Sequence, residues 1–167
     1  MTTATMHQFI GTKEILATPM TRGEYNIYRG WQLPDDEDGT DFGFLVEYMP
    51  DDNTNHPDHA GYISWSPKSV FEGAYQDIKA MTFAHAMTMV MAGARVQRAG
   101  WNGKGMFIFL TKGRTVPNNK ERSFAHFDGT HIRLENHIDF KAADGSYVSG
   151  WLASQTDMTA NDWSILP

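Results

Sequence analysis

From Thr82 to Gly93 the chain spells out one apolar face. Phe83, Ala86, Met87, Val90 and Met91 fall at i, i+3, i+4, i+7 and i+8, which predicts an amphipathic helix. Thr82 stands at its cap and Gly93 at its end. The methionines read as plain core rather than as a cofactor box. Strands follow. ARVQRA at 94–99 is polar at alternate positions, and MFIFLTK at 106–112 is a strong strand. HIRLENHIDFKAA at 131–143 alternates through Ile132 and Leu134, then Ile138 and Phe140, with a slip near Asn136 that a bulge would absorb. Asp144-Gly145 marks a hairpin turn and Tyr147-Val148 a return strand. SQTDMTAND at 154–162 reads as a short capped helix, WSIL as the last strand, and Gly113 to Gly129 as one long loop. The back half is therefore expected to be α+β, a small antiparallel sheet with an amphipathic helix at its start.

The front half reads as a small α+β module of its own. Residues 9–18 predict a strand ending at Pro19. Thr21 and Glu24 have capping-box spacing for a helix over TRGEYNIYR. FGFLVEYM at 42–49 and GYISWS at 61–66 are partner strands, and Ser66-Pro67 starts a helix running to about Tyr75, with Ser66 as its cap. Charge separates the halves: residues 1–78 hold four Lys and Arg against thirteen acids, and residues 79–167 hold ten against seven. The expected boundary lies there, between an acidic module at 1–78 and a second domain at 79–167. Such an acidic front half argues against general binding to duplex nucleic acid. The run DDEDGTD at 35–41 reads as a solvated loop.

Much chemistry is excluded. Among 167 residues there is no cysteine, hence no disulfide, thiolate zinc site or cysteine nucleophile. MTTATMHQFIGTKEIL lacks a basic start followed by an apolar run, and the uncharged stretch Ala80–Ala94 is too short to span a bilayer. We expect no membrane association and a cytoplasmic location. GWNGKG at 100–105 resembles part of a phosphate loop, but Gly105 follows Lys104 where Ser or Thr is needed, and Arg98 stands in place of the first Gly. There is no His-Glu-x-x-His and no Gly-x-Ser-x-Gly. His56, Asp58 and His59 in a proline-bearing turn make a weak metal set. No spacing pairs Asp139, Asp144, Asp157 or Asp162 for acid–base work. The expectation is no catalytic residue, no metal and no cofactor.

What remains is polar and aromatic. Trp101 sits in the Gly-rich turn GWNGKG, with few sequence neighbours to pack on, and reads as an interface residue or a platform for a planar ligand. Arg98, Lys104 and Arg114 are placed to meet phosphates. Asn102, Ser154, Gln155, Thr156 and Asp157 offer hydrogen bonds. The competing reading makes Trp151 and Trp163 core and SQTD only a helix cap.

Residues 79–167 resemble a family of small bacteriophage proteins, the anti-defence sponges of the second type directed against the Thoeris system. The motifs are a helix ending in Ala-Gly, then RAGWNGKG, His-Ile-Asp, Trp-Leu-Ala-Ser-Gln-Thr-Asp and Asp-Trp. This resemblance implies sequestration without catalysis: a cyclic ADP-ribose isomer, or in some relatives a cyclic dinucleotide, is held away from the immune effector in the host bacterial cytoplasm. It further implies homo-oligomers, tetramers or dimers, with pockets between protomers. Carried onto this chain, the ligand-binding positions are Arg98, Trp101, Asn102, Asp139, Trp151, Ser154, Thr156 and Asp157. The chain departs from shorter members by its front half, by Ser149-Gly150 in place of a single proline before Trp151, and by a longer loop at 113–130. The front half is similar to a phage module to which we attach no activity. The alternative reading is a phage structural or interaction protein whose aromatics serve subunit contacts. A third, a hydrolase of the signal using Asp139 or Asp157 as base, has no supporting motif.

Overall fold

Thr21 caps the first helix as its spacing to Glu24 requires. Its hydroxyl accepts from the Glu24 N–H at 3.2 Å, and the Glu24 carboxylate accepts from the Thr21 N–H at 2.8 Å. This helix, α1 (Arg22–Arg29), stops at Gly30, whose φ of 67° a residue with a Cβ adopts only at a cost. The computed structural model describes residues 6–8, 10–49, 53–119 and 124–167. The chain divides into two units, Met1–Tyr75 and Gln76–Pro167.

In the first unit α1 follows β1 (Ile15–Thr21) and precedes β2 (Phe42–Tyr48), β3 (Ile63–Pro67) and α2 (Lys68–Ala74). The sheet order is β1-β2-β3, antiparallel throughout. Two expectations are corrected. The first strand, expected over 9–18, begins at Ile15 and does not end at Pro19 but runs through it to Thr21, because β1 is an edge strand and tolerates a residue without an N–H. Nor does Ser66 cap the second helix. Ser66 and Pro67 stay in the sheet opposite Phe44 and Gly43, and Pro67 takes the cap position without a side-chain hydrogen bond. Tyr25 from α1 packs with Leu45 and Ile63 from the sheet, flanked by Met20 and Trp65.

The second unit contains α3 (Phe83–Met91), β4 (Val96–Arg98), β5 (Phe107–Thr111), β6 (Arg114–Pro117), β7 (His131–Leu134), β8 (His137–Lys141), β9 (Tyr147–Val148), α4 (Gln155–Met158) and β10 (Trp163–Ile165). Five strands form one antiparallel sheet in the order β10-β4-β5-β8-β9, and β6 pairs with β7 as a separate hairpin. The helical stripe buries Ala86 and Val90 against Met81, Val96, Ile108 and Trp163. Met91 is the exception: the helix ends there, it faces outward, and Met89 packs on the core instead.

The slip at Asn136 is not a bulge. The chain leaves the β6–β7 hairpin at Leu134 and enters the larger sheet at His137, so the two phases belong to different sheets. The Asn136 side chain accepts from the Gly113 N–H at 2.7 Å and ties the two crossing points together. Residues 113–129 are accordingly not one loop, since their first part is β6; residues 120–123 lie outside the described set. The α+β class is as expected. No described helix is long and apolar enough to cross a membrane.

Candidate functional site

The turn between β4 and β5 is held by carboxylates that arrive from far along the chain. Arg98, the last residue of β4, donates from Nε to Asp162 Oδ1 at 2.8 Å and from Nη1 to Asp157 Oδ1 at 2.9 Å. The second oxygen of Asp162 accepts the Gly100 N–H at 2.7 Å. Asp157 Oδ1 also accepts the Trp101 indole N–H at 3.0 Å. Its Oδ2 takes the Ser154 N–H at 3.0 Å and the Ser154 hydroxyl at 2.6 Å, while the Asp157 N–H returns to Ser154 Oγ at 3.1 Å. This last pair is the capping box of α4, so SQTD is a cap as well as part of the site. Gly103 sits so close to the neighbouring hairpin that a Cβ there would lie 2.4 Å from the Ala143 Cβ.

The electrostatics follow from these contacts. Burial works against ionisation of Asp157, but the hydrogen bonds from Ser154, Trp101 and Arg98 outweigh it and hold the carboxyl at about 2. Asp162 is lowered by Arg98 and Gly100 against the same opposition from burial. Arg98 in turn is raised by Asp162 first and Asp157 second. The charge of Arg98, placed by the sequence to meet phosphate, is matched within the fold by two carboxylates, and its side chain is only 16% exposed. The spacing along the chain pairs no carboxylates, yet the fold pairs Asp157 with Asp162. It does so around a guanidinium and not for proton transfer.

Trp101 is not short of neighbours. Its ring meets Phe140 at 5.4 Å, Trp163 at 5.3 Å and Trp151 at 6.3 Å, all edge to face. Trp163 is fully buried and Trp151 is half-buried, so the core reading holds in full for the first and in part for the second. Ser154, Thr156 and Asn102 are exposed, and the Thr156 hydroxyl lies 2.9 Å from Ser154 Oγ.

Asp139 belongs to a separate cluster. It is fully buried on β8 and accepts from the Thr111 hydroxyl, from the Tyr147 hydroxyl at 2.5 Å and from the Gly150 N–H at 3.0 Å, with His137 Nε2 at 3.4 Å. Burial opposes its ionisation, and these donors overcome it, so the carboxyl stays below its ordinary value. Through Gly150 it fixes the chain one residue before Trp151. The structure thus gathers Arg98, Trp101, Ser154, Thr156 and Asp157 beside Trp151, places Asp139 behind Trp151, and leaves Asn102 on the turn. Sequence reasoning missed Asp162, Thr111 and Tyr147. The Asp-Trp pair at 162–163 was the available signal for the first; Thr111 and Tyr147 carry none. His56 and His59, weighed as metal ligands, are engaged otherwise: His56 stacks on Tyr28 at 4.6 Å, and His59 bonds Glu47 at 2.7 Å and Tyr28 at 2.9 Å.

These features define a class: a small α+β domain whose internal polar network fixes an aromatic turn and a capped helix start at its surface. The model of the Thoeris anti-defense 2-like (Tad2-like) domain matches residues 81–166. The chain is also 35% identical to Thoeris anti-defense 2 of Bacillus phage SP01 over 86 residues, 52% of this chain and 94% of that protein. The chain belongs to the Tad2-like family, as the motifs of the back half implied. Its role is accordingly that of a phage anti-defence protein.

Proposed function

We propose that the second unit sequesters a cyclic nucleotide immune signal, a cyclic ADP-ribose isomer or a cyclic dinucleotide, in the cytoplasm of the infected host and leaves its bonds intact. The observation that carries this is the carboxylate-locked turn: Asp157 binds Arg98, Trp101 and Ser154 together close to the half-buried Trp151, with Ser154 and Thr156 exposed at the helix start and Asn102 exposed on the turn. Arg98 acts here as a positioning residue, and Lys104, exposed on the same turn, is the cation for the pyrophosphate. Nanomolar capture requires about −12 kcal/mol. Stacking at roughly 1–3 kcal/mol per base falls short of it, so charge-assisted contacts at roughly 1.5–3 kcal/mol each must add.

A second copy of the chain completes the pocket. Leu152, next to Trp151, is 90% exposed, and Met91 on α3 and Met158 on α4, two helices that pack together, are exposed as well. The same network supports the non-catalytic part of the proposal. Asp157 accepts four hydrogen bonds and its carboxyl is depressed, which makes it a weak base, and Asp139 is buried among four partners.

The test is to mix the full chain with the cyclic ADP-ribose isomer, remove the free ligand, denature the protein by heat and analyse what is released. Intact ligand is expected. No uptake, or cleaved ligand, overturns the proposal. The exposed Leu152 also suits the alternative, an assembly protein; assembly with no uptake of any cyclic nucleotide would favour it.

A further inference from the structure

We propose that the first unit carries a binding site of its own: a cleft that takes a small oxyanion attached to a planar ring, with Arg29 as the anion fork. This does not rest on the function proposed for the second unit. The cleft is open, about 550 Å³, and lies between α1, the segment after it and β3. That volume falls within the roughly 300–1,000 Å³ of small-molecule sites.

The chain shape that builds it is local. After Gly30 the backbone turns back, and the Trp31 N–H bonds Asn26 O at 2.8 Å. This lays the indole beneath Arg29, whose guanidinium carbon sits 4.2 Å from the ring centre. Trp31 itself is 54% exposed. On the other side, Arg22 lies 4.4 Å over Trp65. The two guanidiniums differ in one respect. Arg22 is matched by Glu37 at 2.8 Å and Asp41 at 3.5 Å, whereas Arg29 has no carboxylate partner among the described residues and gives one hydrogen bond, to the Tyr25 hydroxyl at 3.3 Å. A guanidinium carries five N–H donors in a planar fork. Most of the fork at Arg29 is therefore open.

That an uncompensated cation persists in a half with thirteen acids calls for a reason. Its place in the last turn of α1 complements the helix dipole. The dipole accounts for a charge there, but not for its stacking on an exposed indole at the cleft wall. The cation–π contact holds the fork at that wall, where it is placed for charge-assisted pairing with phosphate or carboxylate, and the exposed ring of Tyr62 gives an attached ring a place to stack. The surrounding acidity disfavours polyanions, which restricts the ligand to a small molecule.

The experiment uses the full chain, labelled for amide NMR, titrated separately with 5′-AMP, indole-3-carboxylate, adenosine and inorganic phosphate. We expect saturable shifts at Arg29, Trp31, Tyr62 and Ser64 with AMP, with the carboxylate, or with both, and the stronger of the two identifies the anion head. Adenosine and phosphate alone should bind at least about tenfold more weakly. Arg29→Gln should cost at least about tenfold in affinity. Arg29→Lys keeps the charge and loses the fork, and should fall between the two. Thermal melting of each variant checks the fold, and Arg29→Lys decides if the Gln variant does not fold. No saturable shift in residues 22–65 at millimolar ligand overturns the site. So does unchanged affinity in a folded Arg29 variant, or adenosine binding as tightly as AMP. Return of intact cyclic ADP-ribose isomer from the second unit is scored separately, so either proposal can fail alone.

Discussion

Asp157 ties three parts of the second unit together. One carboxylate closes a helix cap, orients an indole and matches a guanidinium. Breaking a buried ion pair by removing one member costs about 3 kcal/mol or more. Asp157→Ala is expected to lower stability by about 3 kcal/mol in urea unfolding; a loss under about 1 kcal/mol would show that the network is decorative. Its acid sensitivity has a definite sign. The folded carboxyl is depressed from 3.8 to about 2. The stability this contributes is complete above about pH 4 and disappears as the pH falls through about 2, in total about 2 kcal/mol. Unfolding monitored across that window should lose this component in the wild type and not in Asp157→Ala. The long-range partnerships, with Arg98 and Trp101, were not legible in the sequence. Arg98 lies 59 and 64 residues from its two acids, and which carboxylates reach it depends on the placement of β10 beside β4. The local pairs were legible, because Thr21 with Glu24 and Ser154 with Asp157 lie within one helical turn.

At the scale of elements, α4 is only four residues long and cannot persist on propensity alone. Its capping box and the attachment to Trp101 hold it. Ser154→Ala should cost about 1 kcal/mol and, under the proposed function, weaken ligand capture as well. Calorimetry beside the urea curve separates the two effects. The turn before β5 gives a second prediction. In Gly103→Ala the added methyl runs into Ala143, and overpacking of this kind costs about 1–3 kcal/mol. Elements were read well where a period or a turn pair announced them, as with α3 and Asp144-Gly145. They were misread where two strands adjacent in sequence join different sheets. HIRL and HIDFK carry the same alternation, and only the partners of β5 and β6 reveal that Asn136 is a crossing point.

For the whole molecule, the division after Tyr75 makes a fragment experiment informative. Gln76 already serves the second unit, since its side chain accepts the Thr82 N–H at 2.8 Å, and the Ile165 N–H reaches Ile78 O at 3.3 Å. A fragment of residues 76–167 should be soluble and melt cooperatively. One starting at Thr82 discards Met81, which is buried and bridged to Trp163, and should lose about 2–5 kcal/mol. Equal melting of the two would refute the role given to residues 76–81. Family membership extends over this unit and leaves the acidic one outside it. The carboxylate lock also bears on the proposed capture. Both oxygens of Asp157 are occupied before any guest arrives, so the proposed capture requires no rearrangement of this network. For an infecting virus the useful variable is then residence: how slowly the messenger departs, compared with how fast the cell can make more.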